Sequence, residues 1–127
     1  MMTRENVIRN YFQSWINKDS SKLDETFSTD AVYSECYGPE YHGVEMIKKW
    51  FHDWNKKGSV LQWDIKQFIH QGDLTAVEWY FKCEYNGNVS DFDGVSLVEF
   101  NIANQIVNVK EFQSELPHYC PYEMMDV

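Results

Sequence analysis

Basic residues are scarce. Lysine and arginine number 11 against 20 aspartates and glutamates, a formal net charge of -9. A surface this acidic repels phosphate backbones, which need clustered cations to displace their counterions, so nucleic acid is not an expected partner. The same balance disfavours attraction to anionic membrane surfaces. Long apolar runs are missing too, so no membrane span is expected. The opening residues, Met1 to Asn6, lack the basic-then-apolar pattern of a secretory signal. Cysteine is limited to Cys36, Cys83 and Cys120, an odd number with no metal-like spacing. Free thiols in a reducing cytoplasm are the expected state. The four histidines (His42, His52, His70 and His118) do not pair at ligand spacing, so no metal is expected. A phosphate-cradling glycine loop, a nucleophile elbow and a dinucleotide fingerprint are all absent, and no cofactor is expected.

What the chain does have is aromatic mass. Tryptophan, tyrosine and phenylalanine make up 17% of 127 residues. That length allows one domain, 1–127, with one core. So many large flat side chains in so small a domain imply a core built around rings that line a cavity.

The hydrophobic period divides the chain into two halves. In the first, Ile8, Tyr11, Phe12, Trp15 and Ile16 share one face of a helix over Asn6–Lys18. Leu23 and Phe27 mark a short second helix, capped by Asp19-Ser20-Ser21. A strand follows from Ala31 to Tyr37, with Tyr33, Glu35 and Tyr37 on one parity. Val44, Ile47, Trp50, Phe51 and Trp54 then form the stripe of a third helix, ended by Lys56-Lys57-Gly58.

From Val60 onward the period becomes alternating. The expected strands are Val60–Gln71 (Leu61, Trp63 and Ile65 on one face), Thr75–Tyr85, Phe92–Asn101 and Ile106–Gln113, with an irregular tail over 114–127. Val77, Trp79, Phe81 and Cys83 alternate with Glu78, Tyr80, Lys82 and Glu84, giving one buried and one wet face. Such a meander must bury its apolar face, and only the three amphipathic helices can cover it. The expected fold class is therefore α+β: a strongly curved antiparallel sheet wrapped around three N-terminal helices as a cone-shaped barrel.

Several strings carry a family likeness. Phe27-Ser28-Thr29-Asp30-Ala31-Val32-Tyr33 is similar to the junction of helix two and strand one in nuclear transport factor 2-like proteins. Tyr41-His42-Gly43-Val44-Glu45-Met46-Ile47 resembles their entry into helix three, and Asp93-Gly94-Val95-Ser96-Leu97-Val98-Glu99-Phe100 their closing hairpin. The likeness runs from about Glu5 to Gln113, nearest to the SnoaL-like, polyketide-cyclase-like and ketosteroid-isomerase-like branch. That superfamily holds isomerases, cyclases, dehydratases and epoxide hydrolases alongside non-enzymatic binding domains, so the resemblance implies a fold more firmly than a function.

By that resemblance Glu35 stands where the isomerases keep their catalytic base, and Tyr11 where they keep the tyrosine that donates to an oxyanion. Ser96 stands where they carry a protonated aspartic acid, a departure that weakens the case for steroid-type isomerisation. A carboxylate among aromatic rings is desolvated and becomes suited to proton transfer near neutral pH. The structural alternatives are a core tyrosine at Tyr11, an outward Glu35 if the parity slips by one, and a small polar filler at Ser96. The other cavity candidates are Tyr33, Tyr37, Phe51, Trp54, Trp63, Trp79, Phe81 and Val98, with Glu111 as a second carboxylate. Lys110 and Glu99 read as solvated charges.

Two functions remain open at this level. One is a cofactor-independent isomerase, cyclase or lyase acting on a small apolar carbonyl compound, with Glu35 as general base, Tyr11 as donor and Ser96 assisting. The other is a non-catalytic ligand-binding or accessory interaction domain, which calls for purely apolar cavity walls. Tyr80, Tyr85 and Phe112 are expected on the outer sheet face, and that aromatic surface suggests a homodimer.

Overall fold

The computed structural model describes residues 2–122. Helix α1 spans Arg4–Asn17 and α2 spans Leu23–Thr26. Strand β1 (Phe27–Ser34) and the short β2 (Glu40–His42) precede α3 (Val44–Lys57). Four long strands complete the chain: β3 (Gly58–Gln71), β4 (Leu74–Tyr85), β5 (Asn88–Phe100) and β6 (Ile106–Glu115). They form a single six-stranded sheet in the order β2-β1-β6-β5-β4-β3. All pairings are antiparallel except β1 with β6, which is parallel.

The expected α+β cone is the architecture found, and its helices do cover the sheet's inner face. In α1, the Thr3 side chain caps the first turn by accepting from the Asn6 N–H, and Ile8, Tyr11, Phe12 and Trp15 are buried. In α3, Val44, Ile47 and Phe51 point to the core while Trp50 and Trp54 are half-buried beside it. Full burial of an aliphatic or phenylalanine side chain contributes about 1.5–3 kcal/mol, so these two stripes alone account for much of the helix–sheet cohesion.

Several boundaries differ from the sequence expectation, among them the start of β5 at Asn88, four residues before the expected Phe92. The second helix lasts one turn, because Phe27 already belongs to β1. Its N-cap is Lys22, and Asp19 instead accepts from the Ser21 N–H in a local turn. Strand β1 ends at Ser34, three residues before Tyr37, where the chain folds back so that the Glu35 N–H meets the Pro39 carbonyl at 2.9 Å. That fold-back creates β2, which a three-residue pattern cannot announce. Strand β6 continues to Glu115, two residues into the expected tail, while residues 123–127 lie outside the described residues.

The meander's curvature comes from β3. Its register against β4 shifts between Val60 and Gln62 and again between Ile65 and Gln67. Each bulge adds a residue and bends the strand. The first one corrects the expected parity: Leu61 is 46% exposed, whereas Val60 and Trp63, three apart, both face inward. Among the described residues no helix is long and apolar enough to cross a membrane.

Candidate active site

The open end of the cone is a cavity of about 750 Å³. Its inner wall comes from β4–β6 and β1, where Tyr33 and Trp79 are fully buried. Trp15 from α1 and Trp50 and Trp54 from α3 form the opposite side, and Trp63, Phe81 and Phe92 close the sheet side. The rings brace one another. Tyr41 stacks on Trp50 at 4.5 Å between centroids, and Phe12 backs Trp63 at 3.7 Å from outside the cavity.

Two carboxylates enter this aromatic space. Glu111, on β6, accepts from the Tyr33 hydroxyl at 2.7 Å and lies 3.4 Å from the Ser96 hydroxyl. Burial pushes its pKa up to about 7, and the charge of Glu35 pushes the same way, while the two hydroxyls oppose the shift. Glu111 is half-buried and lines the cavity. Glu35 sits just past the end of β1 and accepts from the Tyr41 hydroxyl at 2.9 Å. Burial raises its pKa as well, with the Tyr41 bond opposing. No lysine or arginine lies among the groups that shift either acid.

The structure sorts the sequence candidates. Glu35, Tyr33, Tyr37, Trp54, Trp63, Trp79, Phe81 and Glu111 line the cavity. Tyr37, 62% exposed, stands at the mouth, where Tyr85 also lies, packed on Trp54 at 5.4 Å. Tyr85 is thus an inner-face residue, contrary to the outward placement expected from sequence. It follows the odd-numbered series of Val77, Trp79, Phe81 and Cys83. Phe51 and Val98 do not line the cavity. Phe51 is buried against Trp15 at 4.5 Å, and Val98 is sealed in the core.

Tyr11 and Ser96 also fall outside the lining. Tyr11 is 3% exposed, packed behind Tyr33, and its hydroxyl has no hydrogen-bond partner among the described residues. The helical period placed the right face inward but could not say how far the hydroxyl reaches. Ser96 is buried and accepts from the Trp79 indole N–H at 2.9 Å. Its role is to fix Trp79 and offer a hydroxyl to Glu111. Residues that sequence reasoning missed include Tyr41, whose strand is too short to show a period, together with Trp50, Cys36 and Cys83 in the lining. Burial holds the Cys36 thiol up at about 11, the form of an unreactive thiol. Among the described residues no cluster of three or more histidine, cysteine or acidic side chains is placed to hold a metal ion.

A curved sheet that closes on helices around one aromatic, acid-bearing cavity defines a domain class, and the comparisons agree with it. The pattern of the SnoaL-like domain matches residues 8–109, and the chain belongs to that family. A comparison with curated proteins gives no match. Among solved structures, the chain is similar to an LEH-like epoxide hydrolase of M. tuberculosis, with a TM-score of 0.78, 12% identity, and 87% of this chain and 82% of that one covered. It is similar to a Catenulispora acidiphila protein of ketosteroid isomerase-like fold in complex with trimethylamine, with a TM-score of 0.76, 17% identity and 85% of each chain covered. A candidate SnoaL-like polyketide cyclase from Mesorhizobium loti aligns with a TM-score of 0.68, 19% identity, and 87% and 99% covered.

Proposed function

We propose that this domain binds a small, largely apolar carbonyl compound and moves a proton on it without a cofactor, as an isomerase, cyclase or lyase would. The observation that carries the proposal is the pair of carboxylates, Glu35 and Glu111, set in one aromatic cavity and both held above the usual carboxylate range. Glu35 is the general base. In its ionised form it removes a proton from the carbon next to the carbonyl. Glu111, still substantially protonated near neutral pH, supplies a proton to the carbonyl oxygen, so that an enol forms without a discrete oxyanion. Returning the proton from Glu35 to a different carbon, while the enol oxygen gives its proton back to Glu111, completes an isomerisation and restores both acids. In this scheme Glu111 and its Tyr33 partner take the donor role that the sequence reading gave to Tyr11.

Structural relatives described as an epoxide hydrolase and a candidate polyketide cyclase favour catalysis in a cone of this kind. The competing reading, a domain that only holds a ligand, calls for apolar walls. Glu35 and Glu111, each bonded to a lining tyrosine hydroxyl, run against it. We also propose a homodimer joined through the outer face of the sheet.

The test is hydrogen–deuterium exchange next to the carbonyl of a panel of enolisable ring ketones in D2O, followed by NMR. The wild-type protein accelerates exchange of at least one member. Glu35→Gln lowers that acceleration by about 100-fold or more while leaving the circular dichroism spectrum unchanged. Equal exchange in wild type and Glu35→Gln would sink the assignment of Glu35 as base.

A further inference from the structure

The mouth of the cavity differs in charge from the rest of the molecule. On a chain of net charge -9, two of the lining residues at the rim are Lys56 and Lys57, consecutive in the last turn of α3. The rim's carboxylate, Asp53, is already held by Lys49 at 3.0 Å and reaches Lys56 only at 3.9 Å. Lys57 forms no ion pair among the described residues. Lysines in a last turn also answer the helix dipole, but that would suit any exposed face, and these two border the cavity.

The backbone that carries them is pinned. The Asn86 N–H donates to the Lys57 carbonyl at 2.9 Å, tying the end of α3 to the β4–β5 turn. The next residue must be glycine for packing reasons. A Cβ at Gly58 would come within 2.7 Å of the Glu84 carbonyl oxygen and 2.8 Å of the Tyr85 ring. That close approach puts the Trp54–Tyr85 pair directly beside the two lysines. The rim therefore offers a flat aromatic wall next to exposed cations on a fixed base. Deeper in, burial pushes Glu111 up to about 7, toward its neutral form.

We infer that the cavity takes an amphipathic carboxylic acid: an apolar ring body against the tryptophans, with its carboxylate at the mouth between Lys56 and Lys57. The inference rests on the proposal that the cavity binds an apolar molecule, and it adds the charge and orientation of that molecule. The acid group stays outside, and the reacting carbon and carbonyl point inward to Glu35 and Glu111. Cations at the mouth also steer anionic ligands toward an otherwise repelling surface.

The experiment compares three shape-matched probes, 2-naphthylacetate, its amide and 2-naphthylmethylamine, by titration calorimetry and tryptophan fluorescence. The acid should bind about fivefold more tightly than the amide at low salt, as expected for exposed charge pairs. The preference should narrow as salt screens the rim. Lys57→Glu should remove or invert it. Lys110→Glu, which makes the same charge change on an exposed residue outside the lining, should leave it in place. Equal binding of acid and amide, tightest binding of the amine, or an equal response to Lys57→Glu and Lys110→Glu would each overturn the inference. Because the readout is binding, loss of the ketone exchange would leave the acid preference standing. If none of the three probes bound, both this inference and the apolar-ligand reading would fall.

Discussion

Glu111 spends folding energy to sit where it does. An ordinary carboxyl near 4.5 is held at about 7 by burial among rings. Below pH 4.5 the group is protonated in both the folded and unfolded chains and contributes no difference. As pH rises from there to about 7, the unfolded chain releases the proton while the folded chain keeps it, so stability falls across that window and levels off above it. Glu35 is displaced in the same direction and adds to the slope. Glu111→Gln keeps an acceptor for the Tyr33 hydroxyl and removes the titration. We expect it to raise stability at pH 8 by on the order of 2 kcal/mol and to leave stability at pH 4 nearly unchanged. Urea unfolding at the two pH values checks this, and equal effects at both would show that Glu111 is not the displaced group. Ser96 belongs to the same arrangement: it orients the Trp79 indole on one side and Glu111 on the other.

At the scale of elements, the site is held by a contact that the residue pattern only hints at. Trp79 on β4 pairs in register with Gly94 on β5, and its indole lies across the glycine. A Cβ at Gly94 would overlap that ring and approach the Phe112 carbonyl at 2.6 Å. Gly94→Ala should therefore cost about 1–3 kcal/mol and displace Trp79 from Ser96. A lower urea midpoint with a shifted tryptophan emission is the expected result. An unchanged midpoint would mean the ring has room to move. The parts of this architecture that were legible in the sequence are those where one period runs uninterrupted. Val77, Trp79 and Cys83 alternate inward over the length of β4, and Val44, Ile47 and Phe51 keep to one face of α3. The parity argument failed at Leu61 because a bulge inserts an extra residue, and alternation carries no mark of that. Glu35 lies past the end of its strand and still reaches the cavity, because the turn to Pro39 aims it there. The depth of Glu111 depends on Tyr33 across the parallel β1–β6 pairing, a contact between residues 78 apart that local pattern does not contain.

At the scale of the whole molecule, the sheet has an outer face as well as an inner one. The registers place Ala76 opposite Leu97 and Val95 opposite Phe112, so four apolar side chains meet at the centre of that face. Phe112 is 55% exposed, and the helices, being all on the concave side, cannot cover it. Tyr80 borders the group and donates to Asp91 at 2.8 Å, Lys66 reaches Asp93 at 2.8 Å, and Glu78 and Lys110 flank the group opposite Val95 and Leu97. An apolar centre with a polar surround matches the anatomy of an interface between subunits. A two-fold contact would let the same patch cover itself. The wild-type protein should sediment as a dimer at micromolar concentration. Phe112→Glu puts a charge at the middle of the patch on both copies and should give a monomer. The substitution is on the outer face, so the circular dichroism spectrum should be retained. A wild-type monomer at micromolar concentration, or a Phe112→Glu variant that remains dimeric, would remove the outer sheet face as the contact between copies.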